Sequence, residues 1–327
     1  MQATATLIHE MRPKILERRM RLQAAARSLS AEYVNDLLAE VDATLQRIDQ
    51  GTYGICETCH DPIEGYRLER NPMERFCLDH LTADELAAHE QDMSLATQIQ
   101  ARLLPARDIK TGAWETHYRY EPAGVVGGDY CETIPAADGN SVFFAVGDVT
   151  GKGVAASLLM THLSAIFRSL LSLDLPLCEV MTRANRLFCE STPTTHYATL
   201  VGGRAAGDRI ELCNAGHCRP VLLRHDATEQ VDSTGLPLGL FCEGRYTIRQ
   251  IRLEPGDSLV LYTDGISEAQ DPAGNIYDED RLTRALESHR DRDAVAMADG
   301  VLRDVTGFCG GRSAQDDRTL LIVQRRS

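Results

Sequence analysis

The chain has 327 residues, of which 43% are hydrophobic and 25% charged, and it carries a formal net charge of −14 at pH 7. That length accommodates one sizeable core with one or two small modules, and the acidity opposes general nucleic-acid binding, because phosphate would be repelled at long range. No apolar run approaches the roughly 18 residues of a membrane span and no leader is visible at the start, so a cytoplasmic protein without a membrane anchor is expected.

Residues 1–50 are read as a helical or coiled-coil region. The stretch 4–50 is rich in Ala, Leu, Glu and Arg, and Pro13 is its only helix breaker. Val34, Val41 and Ile48 recur every seven residues beside Leu37, Leu38 and Leu45, which makes one apolar stripe. Ser28 or Ser30 is placed as an N-cap dividing the segment into a helical hairpin. The stripe suits either packing within its own domain or a coiled coil pairing two chains, and a homodimer through these helices is expected.

Residues 51–81 form a separate module. Cys56-x-x-Cys59, 17 intervening residues and then Cys77-x-x-His80 is paired-ligand spacing for one structural, tetrahedral zinc. The module is too small to fold on a hydrophobic core alone. The other cysteines of the ten, such as Cys178, Cys189 and Cys213, stand singly in apolar contexts and are read as reduced core thiols.

Residues 82–108 hold a linker helix over 82–104, with Thr82 as N-cap, Asp84 and Glu85 in its first turn, and Pro105 ending it. Residues 109–327 make the large domain. Strand-like runs alternate there with two helix pairs, near 152–173 with 176–191 and 278–290 with 293–309. The runs 142–147 and 259–262 are apolar on both faces and must be covered on both, by a second sheet on one side and helices on the other.

Acids stand at the ends of four strand-like runs. Asp148 closes Val142–Gly147, Asp264 closes Leu259–Thr263, Asp316 and Asp317 open Arg318–Val323, and Asp129 follows Gly127-Gly128. Asp138-Gly139 is a two-residue hairpin signal. Around it, positions summing to 277 face each other, which sets Asp129 opposite Asp148, about 4.5–5.5 Å apart at Cβ. Like charges there repel unless a hard cation joins them, and oxygen ligands without His or Cys select Mg²⁺ or Mn²⁺. A carboxylate rim holding two such ions suits phosphoryl hydrolysis. A calcium-stabilised fold with turn aspartates is the bland alternative.

Two resemblances extend this reading. Gly51-Thr-Tyr-Gly-Ile-Cys-Glu-Thr-Cys59, Ile63, Arg67-Leu68, Pro72 and Cys77 resemble the zinc finger of the DksA/TraR family, with His80 where that family usually has a fourth cysteine. Gly127-Gly128-Asp129-Tyr130, Gly147-Asp148-Val149-Thr150-Gly151-Lys152-Gly153, Asn214-Ala215-Gly216-His217, Thr263-Asp264-Gly265 and Asp316-Asp317-Arg318-Thr319 resemble, in order, the SpoIIE/RsbU branch of PPM-type protein phosphatases.

The second resemblance implies an α+β fold, an αββα sandwich, with two Mn²⁺ or Mg²⁺ ions. It also implies hydrolysis of phosphoserine or phosphothreonine on a STAS-type anti-sigma-factor antagonist in a bacterial partner-switching pathway. Asp148 would bridge both ions, the Val149 carbonyl would bind one, Asp264 and Asp316 would complete the other, and Asp129 would hold its water ligands. Gln98–Pro105 resembles the regulatory linker helix of RsbU-like proteins. Thr150 stands where the eukaryotic branch has a histidine. Arg119 and Lys152 are candidate phosphate contacts, and His217 is read as fixing a turn. A catalytically silent partner-binding switch and a transcription modulator acting through the zinc module are the competing functions.

Overall fold

A computed structural model describes residues 2–25, 31–173 and 175–326. They form two compact units, 1–94 and 95–327.

The first unit begins with helices α1 (Gln2–Ala25) and α2 (Ala31–Asp49). They run antiparallel, since ion pairs join Arg12 to Asp49 at 2.9 Å and Arg19 to Asp42 at 2.7 Å. Met11, Ile15 and Leu22 of α1 share a core with Val41, Leu45 and Ile48 of α2. The seven-residue stripe therefore packs inside its own chain, the first of the two alternatives open in the sequence. The expected N-cap at Ser28 or Ser30 lies outside the described residues. The same core continues into Tyr53, Ile63, Leu68 and Met73, so the hairpin and the cysteine module fold around one cluster. Arg47 reinforces the join by donating to the carbonyls of Glu74 (3.0 Å) and Met73 (3.2 Å). A short helix α3 (Gly65–Arg70) lies within the module.

Helix α4 (Ala83–Leu103) starts at the expected cap. The Glu85 N–H donates to Thr82 Oγ1 (3.3 Å) and the Thr82 N–H donates to Glu85 Oε2 (2.9 Å), a reciprocal capping box.

The second unit contains two antiparallel sheets. One is built from β1 (Asp108–Thr111), β2 (Trp114–Glu121), β7 (Val221–Leu223), β8 (Thr228–Gln230), β10 (Ser258–Tyr262) and β11 (Arg318–Arg325), in the order β1-β2-β11-β10-β7-β8. The other orders β3 (Asp129–Pro135), β4 (Ser141–Val149), β5 (Ala198–Ala206), β6 (Arg209–Ala215) and β9 (Arg249–Arg252) in sequence. Helices α5 (Gly153–Leu171) and α6 (Leu177–Ser191) accompany the second sheet; α7 (Asp264–Ser267), α8 (Glu279–Ser288) and α9 (Ala294–Cys309) accompany the first.

Alternation along the strands explains the layering. Phe143 and Ala145 join Met160, Leu163 and Phe167 in one helix–sheet core, whereas Val142, Phe144 and Val146 meet Leu259, Leu261 and Leu321 between the sheets. Val260 and Tyr262 point the other way, into a core with Leu282, Met297 and Val301. Both doubly apolar runs are thus central strands of an αββα sandwich.

Three details correct the sequence reading. The β3–β4 connection is a four-residue loop, 137–140, rather than a two-residue turn, because Ala136 N–H still donates to the Ser141 carbonyl at 2.9 Å. One extra residue on each side leaves the register unchanged. Cys189 and Cys242 are joined in a disulfide with Cα atoms 5.5 Å apart, and Cys178 is exposed, so neither Cys189 nor Cys178 is a reduced core thiol. A separation of 53 residues leaves no local trace of that pair in the sequence. Asn185 brings it together by donating to the carbonyls of Phe241 and Cys242 and accepting from Gly239 N–H. Finally, α5 is the one helix among the described residues long and apolar enough to cross a bilayer. It is a core helix, burying Met160, Leu163, Phe167 and Leu170 against the second sheet.

Candidate active site and metal centres

The ladder between β3 and β4 pairs Asp129 with Asp148, as the 277 rule requires. Asp129 is only 2% exposed. Its Oδ2 accepts from Thr263 Oγ1 (2.8 Å) and Thr319 Oγ1 (2.6 Å), which ties it to the end of β10 and the start of β11 in the opposite sheet. Those threonines adjoin Asp264 and follow Asp316-Asp317, so both sheets deliver their acids to one rim. Thr263 and Thr319 stand in the sequence only as neighbours of the acids, and their hydroxyls tie Asp129 to the opposite sheet.

Asp317 has a different task. Its Oδ1 accepts from Ala123 N–H (2.7 Å) and its Oδ2 from Gly128 N–H (2.6 Å), so it anchors the loop that leads to Asp129. Two glycines make the close approach possible. A Cβ on Gly127 would lie 2.2 Å from Tyr120 Oη, and one on Gly265 would lie 2.0 Å from the Asp317 carbonyl oxygen.

The acids strain each other's ionisation. Burial and then the charges of Asp264, Asp316 and Asp317 push the Asp148 carboxyl up to about 7. Burial chiefly, with the Asp148 charge adding, holds Asp129 well above the usual carboxylate range against the two threonine hydrogen bonds. Asp264 is raised by burial, then by Asp316 and by Glu268, four residues further along. Carboxylates that mutually oppose ionisation, with oxygen as the donor atom, fit hard divalent cations.

Of the two basic candidates, Lys152 belongs to this rim: its Nζ donates to Asp316 Oδ2 at 2.7 Å and to the Gln315 carbonyl at 3.1 Å. A cavity of about 130 Å³ beside it is lined by Lys152, Asp264, Glu268, Arg312 and Asp316. Arg119 is not brought there. Its Nε donates to Asp299 of α9 at 2.8 Å, and the surface cavity it lines contains none of the rim acids. Glu268 and Arg312 had no motif signal; only the fold brings them to the rim.

His217 fixes a turn. Its N–H donates to Asn214 Oδ1 (2.8 Å), and its Nδ1 pairs with Thr199 Oγ1 (2.9 Å). Residues outside the aspartate motifs also reach their backbone: Thr199 Oγ1 donates to the Asp148 carbonyl at 3.4 Å. Gln100 of α4, 6% exposed, donates to the Gly127 carbonyl (2.7 Å) and accepts from the Gly127 N–H (3.1 Å).

In the first unit, Cys56, Cys59, Cys77 and His80 offer ligand atoms that all lie within 4.8 Å of one another. Cys77 Sγ is 3.3 Å from His80 Nδ1 and 3.7 Å from Cys59 Sγ. Three thiols and an imidazole at that spacing suit one tetrahedral zinc.

Residues 138–326 match the family model of stage II sporulation protein E (SpoIIE), and residues 51–79 match that of the prokaryotic dksA/traR C4-type zinc finger. The second match stops just before His80. The chain is 25% identical over 268 residues to protein IcfG of Synechocystis, covering 72% of this chain and 41% of that one. It is 24% identical over 242 residues to phosphoserine phosphatase RsbU of Bacillus subtilis, covering 72% and 71%. Among solved structures, the SiaA-PP2C domain of Pseudomonas aeruginosa superposes with a TM-score of 0.64 at 17% identity, over 75% of this chain and 99% of that domain. The chain thus spans less than half the length of the first of these curated relatives.

Proposed function

Because the chain belongs to the SpoIIE family, we propose that its second unit is a metal-dependent phosphatase acting on phosphoserine or phosphothreonine of a protein. The observation that carries this is the convergence of Asp129, Asp148, Asp264 and Asp316 from two sheets on one rim, with Asp129 hydrogen-bonded across the sandwich. Asp148, Asp264, Asp316, Asp129 and the Val149 carbonyl are the groups that would hold two Mn²⁺ or Mg²⁺ ions. Such ions supply charge neutralisation for a phosphoryl group and an activated water.

The chain's own residues do the rest. Thr263 and Thr319 hold Asp129 in place, Asp317 fixes the approach of its loop, and Lys152 is the cation poised beside the rim to meet phosphate oxygens. In this reading Arg119, engaged by Asp299, takes no part.

The substrate we propose is a phosphorylated STAS-type antagonist of an anti-sigma factor, on the similarity to RsbU. The first unit would control the phosphatase through α4, whose Gln100 holds both backbone groups of Gly127. Pairing of two chains through the N-terminal helices would then use faces other than the buried stripe, such as the one presenting Leu16 and Met20 of α1, which are 40% and 62% exposed.

The test is hydrolysis of a chromogenic phosphate ester and of phosphorylated STAS protein with Mn²⁺ by Asp148→Ala and Asp264→Ala. Each should lose activity by 100-fold or more while keeping its melting temperature, since removing one acid also relieves repulsion among its neighbours. Near wild-type turnover by either variant would refute the assignment.

A further inference from the structure

β11 runs eight residues from the acid rim to the opposite end of its sheet, roughly 25 Å at the usual rise per residue. There, at the start of β10 and beside the N-terminus of α9, lies a cavity of about 470 Å³. Six cationic side chains line it: Lys110, Arg224, Arg290, Arg292, Arg325 and Arg326. On a chain of net charge −14, such a gathering is unusual.

Four acids share the lining, and three of them are engaged. Glu115 pairs with Lys110 at 3.2 Å, Asp257 pairs with Arg224 at 3.3 Å, and Asp293 caps α9 by accepting from Ala296 N–H at 2.7 Å. Asp291 is the fourth. Arg290 is held in place by donating to the His225 carbonyl (2.8 Å) and Thr228 Oγ1 (2.9 Å). Arg290 also lies 3.6 Å from Glu287, and Arg325 Nη1 donates to the Leu253 carbonyl at 2.6 Å, whereas the side chains of Arg292 and Arg326 make no ion pair with a carboxylate among the described residues.

We propose that this cavity binds a small anion carrying two or more phosphoryl groups. Guanidinium forks match phosphate oxygens bidentately, and the two uncommitted arginines, Arg292 and Arg326, together with the neighbouring Arg325 and Lys110 exceed what one phosphoryl group would engage. The volume falls within the range of small-molecule sites, and a lining so charged suits an anion rather than an apolar ligand. The site lies at the other end of the sheet from the rim, so it requires nothing of the phosphatase reading and its test is a binding measurement.

Calorimetric titration of the full chain, without added Mn²⁺ or Mg²⁺, with inorganic pyrophosphate and separately with ADP is expected to show one site per chain. Tighter binding of ADP would identify a nucleotide as the occupant, and equal or weaker binding a free diphosphate. Arg292→Ala/Arg326→Ala, both exposed positions whose loss should leave the melting temperature unchanged, should weaken the affinity at least tenfold. Lys152→Ala, at the acid rim, should leave it unaltered. No heat with either anion, an affinity indifferent to the double substitution, or one lost in Lys152→Ala would overturn the proposal.

Discussion

Asp129 shows how much a single side chain can carry and how little of that a sequence displays. That it faces Asp148 followed from the Asp138-Gly139 turn and the period of two along a strand. The four-residue loop left that inference intact because its extra residues are symmetric. That Thr263 and Thr319 clamp it from the other sheet could not be read, since hydroxyl partners 134 and 190 residues away leave no periodic signal.

His217 is the complementary case: a turn residue in the sequence, and in the structure a buried imidazole whose burial pushes it down to about 4. The folded value lies below the unfolded one, near 6.5, so the unfolded chain takes up the proton first. The resulting stability is complete above about pH 6.5 and is lost as pH falls toward 4. By linkage, falling from pH 7.5 to 5 should cost about 2 kcal/mol through this group. Urea midpoints at the two pH values should therefore draw together in His217→Gln relative to wild type. An unchanged gap would show that the native imidazole takes up its proton as readily as the unfolded one.

At the scale of elements, helices and central strands were legible wherever one period dominated. The doubly apolar runs announced the sandwich, and Thr82 announced α4. What α4 does was hidden in one polar residue on a helix with only a loose apolar face. Gln100 satisfies both the N–H and the carbonyl of Gly127, directly before Gly128 and Asp129. Arg168 of α5 fixes the end of the same helix, donating to the Leu103 carbonyl (2.7 Å) while its Nε donates to the buried Glu132 at 2.6 Å. Gln100→Leu would orphan two buried backbone groups, a penalty of roughly 1–3 kcal/mol each. Because that cost falls on the loop bearing Asp129, the expected outcome is at least a tenfold rise in the Mn²⁺ concentration for half-maximal activity. The same cost should lower the melting temperature of the second unit by roughly 2–4 °C per kcal/mol. Metal dependence identical to wild type would mean that α4 merely packs here.

The whole molecule divides into a sandwich that folds on three large apolar layers and a first unit that has one small cluster. The sequence displayed the metal spacing of that unit but not that the helical hairpin depends on it, because Met11, Ile15, Val41 and Ile48 reach Cys56 and Cys77 only in three dimensions. With its thiols inside the cluster, zinc should hold the hairpin as well as the module. For such units the free energy of binding metal is free energy of folding. Cys77→Ser should therefore abolish zinc by elemental analysis and melt α1 and α2 along with residues 51–80. Circular dichroism should show that helix loss, while the sandwich keeps its own thermal transition. If the first unit controls the phosphatase through α4, the same variant should also shift the metal dependence in the direction of Gln100→Leu. A hairpin that stays folded without zinc would place its stability in the α1–α2 contact alone. Unchanged kinetics in a zinc-free, melted variant would strip the first unit of its regulatory role.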